Sequence, residues 1–337
     1  MPHVLGRESD DGPTAALGHH RAPDGSVGAQ VALDLDRPHA GLVVGKRGTG
    51  KSYTLGVVAE EIAAAAGVTG LVVDPMGAFD TLAAAKGVRV VDPRVSAGDL
   101  PPRAWCDVLD LDPASAVGSL LWRAADAGDS LVAMREAVAT AEAPADVTRA
   151  AHNHLALAES WDVFGDEAAV STWLDGGVTV LNLGGTSRPA ANAVLRAVAA
   201  ATYDAALAGS GPLPWLLVDE AHAFADGVAW DGLRTLLTRG RQPGVSVLLA
   251  TQRPGALPEV APSQADLVVA HRLTARTDLD ALAAARPTYL RESLADRIPE
   301  SPGEAVVLDD RTERVHDVSI RERETPHGGQ SPRARRR

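Results

Sequence analysis

Cysteine is almost missing: Cys106 is the one thiol in 337 residues, which excludes an internal disulfide and fits a reducing cytoplasm. Its expected role is that of a small buried apolar residue. Lysine is nearly as scarce, with only Lys46, Lys51 and Lys86 against 29 arginines, and 44 acidic residues leave a net charge of −12. Such a surface keeps a chain soluble and excludes general wrapping of duplex DNA, whose phosphates it repels, so any DNA contact has to be local. Aromatics make up 4%, and the Ala-rich stretches suit helices packed closely on a sheet. No stretch approaches the roughly 18 unbroken apolar residues of a membrane span, and the N-terminus lacks a charged region followed by an apolar one. The expectation is a cytoplasmic protein with no membrane partner.

What is present is an alternation of short apolar runs with helix-like segments, and 45% hydrophobic residues to build a core. The runs predict strands near 41–45, 70–74, 88–91, 177–183, 214–219, 245–251, 267–271 and 304–308, with another at 314–319. Alternating strands and helices imply an α/β fold with a mostly parallel central sheet. Between residues 93 and 175 the spacing turns helical, which predicts a helical insertion. Trp105, Trp122, Trp161 and Trp173 lie in that region and read as packing anchors, since no regular Arg or Lys interleaving accompanies them. Residues 1–36 are rich in Gly, Asp, Pro and His and read as a flexible arm, although Val31, Leu33 and Leu35 alternate like a short edge strand. Residues 37–324 form the expected core domain, and residues 325–337 a disordered tail with a basic tip.

Residues 45–52, GKRGTGKS, fit the phosphate-loop pattern G-x-x-x-x-G-K-[ST] in full. An apolar run precedes them and a helix-like stretch follows, the strand, loop, helix setting that the motif requires. Gly45, Gly48 and Gly50 let the amides of Lys46, Arg47 and Thr49 curl round a phosphate, and the helix beginning near Lys51 points its positive end at the same anion. Lys51 is placed to reach the β and γ phosphates, and the Ser52 hydroxyl to ligate Mg²⁺. The pattern predicts binding of a nucleoside triphosphate.

Far downstream, the apolar run ending at Asp219 and Glu220 reads as a buried parallel strand whose carboxyl end opens on a ligand crevice. Asp219 is a candidate metal holder, and Glu220 a candidate to orient or deprotonate the attacking water; a solvated Asp-Glu pair capping the next helix is the other reading. A further run ends at Thr251 and Gln252, whose amide has both a donor and an acceptor for a γ-phosphate. It also fits a polar residue opening a loop. Arg241 lies just before that run, where an arginine finger or a helix-terminal arginine is equally at home.

Taken together, these motifs resemble the HerA-like branch of the HerA/FtsK superfamily of RecA-fold P-loop ATPases. The matching residues are 45–52, 73–79, 217–222, Gly240 and Arg241 with Gly244, 250–254, and His271, Arg272 and Leu273 with Asp278 and Asp280. The resemblance implies a RecA-like P-loop NTPase core that hydrolyses ATP with Mg²⁺ in an oligomeric ring, usually a hexamer, translocating DNA, with a nuclease as partner. Carried over, Lys51, Ser52, Asp219, Glu220 and Gln252 serve in cis, and Arg241, or else Arg272, completes a neighbour's site. Members of this branch carry a small β-barrel before the ATPase core, for which residues 1–36 offer little room, so a nucleotide-dependent switch without DNA translocation stands as the alternative. Two loops, 184–189 and 253–264, would face a ring pore with Arg188 and Arg253. His152 and His154, two apart on a helix, point to different sides and make a poor metal pair.

Overall fold

The computed structural model describes residues 2–7, 12–22, 26–165, 170–209, 211–284 and 297–327. It opens with three strands, β1 (His3–Leu5), β2 (Thr14–Arg21) and β3 (Val27–Asp34), which corrects the expectation of a flexible arm over residues 1–36. β2 and β3 pair antiparallel, and Leu5, Ala15, Leu17, Val31, Leu33 and Leu35 are all buried. The period-two signal of β2 is broken by register shifts between Ala16 and Gly18 and between His19 and Arg21, so small residues and histidines hide a strand that tertiary packing supports.

The Val- and Leu-rich runs form β4 (Ala40–Val44), β5 (Val68–Asp74), β6 (Val88–Val91), β7 (Gly177–Asn182), β8 (Leu213–Val218), β9 (Ser246–Thr251) and β10 (Leu267–Ala270). β11 (Glu304–Asp309) and β12 (Arg314–Ile320) follow. All twelve join one sheet in the order β1-β3-β2-β12-β11-β10-β4-β9-β8-β5-β7-β6. From β10 to β6 every neighbouring pair is parallel, so the loops at one carboxyl edge converge on a single crevice.

Helices cover both faces. α1 (Lys51–Ala64) lays Leu55, Val58 and Ile62 on one apolar layer with Val43, Val72, Val180 and Trp215. Residues 93–175 hold α2 (Pro102–Val108), α3 (Ala116–Ala127), α4 (Leu131–Thr140) and α5 (Ala145–Glu159). These share the opposite layer with α6 (Arg188–Ala208) and α7 (Ala229–Arg239). Serine side chains start two of them: Ser115 accepts from the Gly118 amide and Ser130 from that of Ala133, satisfying donors at the helix starts. Trp105 is fully buried, donates to the Ala97 carbonyl at 3.1 Å and packs on Phe164. Trp122 instead stands exposed. Cys106 is buried, and burial raises its thiol above the ordinary value. Two short helices, α8 (Val260–Gln264) and α9 (Arg276–Ala284), flank β10.

After β12 the chain straps across α1. Glu60, buried on α1, accepts from the Thr325 amide and hydroxyl, the Glu324 amide, and the guanidinium groups of Arg321 and Arg323. Burial alone would raise this carboxyl, but those donors hold it below its ordinary value. Arg323 lies over Gly56, where a Cβ would come within 2.9 Å of the guanidinium carbon, and its amide donates to the Tyr53 hydroxyl at 2.6 Å. Thr325 is buried, so the expected tail boundary at 325 falls within packed structure; its basic tip, from residue 328, lies outside the described residues.

At the amino edge, His39 is buried between two acids. Its Nδ1 is 3.0 Å from Asp266 Oδ2, and its Nε2 stands 3.6 Å from Asp34 Oδ2, an ion-pair distance too long for a hydrogen bond. Burial disfavours the charged ring, but Asp266 and Asp34 outweigh it and raise its pKa to about 9. Because this lies above the ordinary 6.5, the charged ring contributes stability that is full below about pH 6.5 and is lost as pH rises through about 9, at most about 3 kcal/mol. Thermal unfolding of wild type from about pH 6 to 9.5 should show that decline, and His39→Gln should flatten it; equal slopes in the two proteins would contradict the network.

Candidate nucleotide site

The loop of residues 45–52 joins β4 to α1 at the carboxyl edge. Gly48 has φ +78 with nothing within 4 Å of a would-be Cβ, and Gly50, the residue before α1, has φ +124; both conformations favour glycine. The loop is pinned from outside: the Lys46 amide donates to the Arg272 carbonyl at 2.8 Å, and the Gly303 amide donates to the Thr49 carbonyl at 3.2 Å. Within it, Thr49 Oγ1 donates to the Lys46 carbonyl at 2.8 Å.

His271, fully buried just after β10, forms the floor. A Cβ at Gly45 would sit 2.7 Å from the His271 Cβ, and one at Gly50 3.2 Å from its ring. Nδ1 donates to the Glu304 carbonyl at 2.8 Å, which leaves Nε2 to accept from the Thr54 hydroxyl at 2.9 Å. Burial pushes this histidine down to about 4, so it supports the loop as a neutral ring.

Lys51 is 5% exposed and donates from Nζ to the Lys46 carbonyl at 3.2 Å. Burial lowers its pKa, while Glu220 and Asp219 act in the opposite sense. Asp219, just past β8, is 2% exposed and accepts from the Ser52 hydroxyl at 2.8 Å. Burial lifts its carboxyl to about 6, the Ser52 bond opposing and the Glu220 charge adding. Its Oδ1 is buried without a hydrogen-bond partner, a state that costs about 1–3 kcal/mol. A carboxylate oxygen left over beside a serine hydroxyl is the donor set Mg²⁺ takes from proteins, alongside waters and phosphates.

Glu220 has φ +46, a left-handed conformation that a non-glycine residue holds only when the surroundings demand it. Its Oε2 lies 3.3 Å from His222 Nδ1 without a hydrogen bond, and the same nitrogen is 3.2 Å from Thr251 Oγ1. Burial lowers the His222 pKa, Glu220 opposing. β9 lies between β4 and β8, with Thr251 paired to Val44. Gln252 follows directly and is half-buried at that edge.

Residues 45–52, Asp219, Glu220, Gln252 and Arg272 therefore meet at one edge. Arg272 is half-buried there and donates from Nη1 to the Glu300 carbonyl at 3.2 Å. Arg241 does not join them: it is exposed after α7, ahead of β9, at the opposite edge of the parallel sheet. Of the two loop arginines, Arg188 is ion-paired with Asp226, and Arg253 is exposed. Sequence reasoning gave no role to His222, Thr251 or His271. Their signal was faint: a polar residue at the end of, directly after, or four residues after the apolar runs that feed the crevice.

This strand order, with the phosphate-loop strand between β10 and β9 and the acidic strand one further on, defines a P-loop NTPase fold of the RecA type. Residues 16–158 match the family model described as Helicase HerA, central domain. Among solved structures, VirB4 of Thermoanaerobacter pseudethanolicus superposes with a TM-score of 0.68 at 17% identity, covering 93% of this chain and 97% of that one. Plasmid coupling protein TrwB, in complex with ADP and Mg²⁺, gives 0.62 at 18% identity over 95% and 98%. A comparison with curated protein sequences gave no match. The resemblance to HerA-like P-loop ATPases read from the motifs is thus borne out by the family model, and the α/β RecA-like core by the fold.

Proposed function

We propose that this chain binds ATP with Mg²⁺ and hydrolyses it as the motor of an oligomeric ring, a hexamer in the simplest form, that draws DNA through its centre. The observation that carries the reading is the Ser52 to Asp219 contact, which closes the phosphate loop onto a buried acid with one oxygen to spare. TrwB, which shares the fold, was solved with ADP and Mg²⁺. In this reading Ser52 and Asp219 would hold Mg²⁺, which would supply positive charge against the phosphates. The loop of residues 45–52, through amides other than that of Lys46, which is committed to the Arg272 carbonyl, and the Lys51 side chain bind the phosphates, Glu220 takes the proton of the attacking water, and Gln252 senses the γ-phosphate. A cytoplasmic location and a nuclease partner belong to the same proposal; among the described residues no helix is long and apolar enough to cross a membrane.

Arg241, at the far edge, is out of reach of its own phosphate loop and fits only a role in trans, whereas Arg272 stands beside its own loop. Mixing Arg241→Ala with Glu220→Gln protein should therefore restore part of the turnover that each lacks alone. No recovery at any ratio would count against shared sites. Adding DNA should speed ATP turnover of the wild type; a rate indifferent to DNA of any form would leave a nucleotide-dependent switch in place of a motor.

A further inference from the structure

Three histidines far apart in the chain meet at the end of the sheet remote from the insertion. His3 on β1, His20 on β2 and His316 on β12 stand with ring centroids 5.4 Å (His3 to His20), 4.6 Å (His3 to His316) and 5.3 Å (His20 to His316) apart. One ring nitrogen from each lies within 4.8 Å of the others. Around a tetrahedral zinc with Zn–N bonds of about 2.0–2.1 Å, ring centroids fall roughly 5 Å apart and ligand nitrogens about 3.3 Å apart. The backbone thus already sets the ring spacing, and small side-chain rotations close the remainder.

We propose that His3, His20 and His316 form a structural site for a divalent transition metal, zinc in the first instance, with water as the fourth ligand. His316 is 8% exposed and its Nε2 is buried without a hydrogen-bond partner. A buried imidazole nitrogen with no donor or acceptor opposite it is destabilising unless something occupies it. Asp309 is the nearby carboxylate, but its oxygens accept from the amides of Gly6, Arg311 and Thr312, so it shapes the loop and is not free to ligate. His3 and His20 are half-exposed, which gives a metal ion its entry path.

The consequence is mechanical. β1 has three residues and, among the described residues, pairs only with β3, in parallel. β12 leads into the strap that grips Glu60 on α1. A metal bridging β1, β2 and β12 ties the start of the chain to the segment that holds the helix of the phosphate loop, and does so without any residue of that loop.

The test is zinc titration calorimetry on the untagged full chain with excess Mg²⁺ present, so that Asp219 does not compete. One zinc per chain should bind, and saturating zinc should raise the thermal midpoint. His3→Gln and His20→Gln, at half-exposed positions, should each weaken binding by more than the roughly 10–100-fold that loss of an outer-sphere partner costs, and should abolish the thermal shift. His152→Gln with His154→Gln should bind as wild type. Absence of saturable one-to-one uptake, or unchanged affinity in the His3 and His20 variants, would overturn the site. Neither outcome bears on nucleotide binding.

Discussion

Lys51→Ala should lower ATP turnover by at least about 100-fold, roughly 3 kcal/mol of barrier, because it removes a preorganised cation from the place where phosphate charge develops. The fold should survive the change. Lys51 is buried and donates to the Lys46 carbonyl of its own loop, so its removal relieves a desolvation cost and leaves that carbonyl still accepting from the Thr49 hydroxyl. Steady-state turnover alongside thermal unfolding checks both halves. A fall of less than tenfold with an unchanged melting temperature would mean that the loop does not cradle the reacting phosphates.

The second large effect is expected at Glu220. Glu220→Gln keeps the shape and the neighbours of the side chain but removes its ability to take a proton, so turnover should drop by about 10²–10⁴-fold while ATP affinity stays near wild type. The strained backbone at φ +46 aims this side chain towards His222 and the end of β9, which is the geometric reason to place the base here and not at Asp219. Asp219 is committed to Ser52 through one oxygen. If Glu220→Gln lost affinity as strongly as rate, the residue would be a binding group and the assignment of the base would be wrong.

Much of this was legible in the sequence because the parallel strands are buried on both faces. Runs such as those ending at Val44, Val218 and Thr251 announce themselves without any need for alternation, and the phosphate loop is written contiguously. What was illegible depends on contacts across hundreds of residues. β2 could not be read at Thr14–Arg21 because its apolar residues are few and its register shifts twice; its partner β12 lies at the other end of the chain. The strap on α1 could not be read because Glu60 looks like any helix-surface acid until Thr325 and Arg321 arrive from some 260 residues away. His271 was visible as part of a motif, but its role as the floor under Gly45 and Gly50 needs the packing distance itself.

Arg241 shows the limit of a single chain from another direction. Its position relative to its own phosphate loop follows from the sheet, since the start of β9 and the end of β4 lie at opposite edges. Its position relative to a neighbour's loop is a property of the assembly, which is why the mixed-variant experiment carries that question.

The most direct test of the central claim is equilibrium binding of labelled ATP to the purified wild-type chain with and without Mg²⁺. Saturable binding of one nucleotide per chain, tightened by Mg²⁺ and losing that tightening in Asp219→Asn, is the predicted result. No saturable uptake of ATP in the presence of Mg²⁺ would contradict the account at its root.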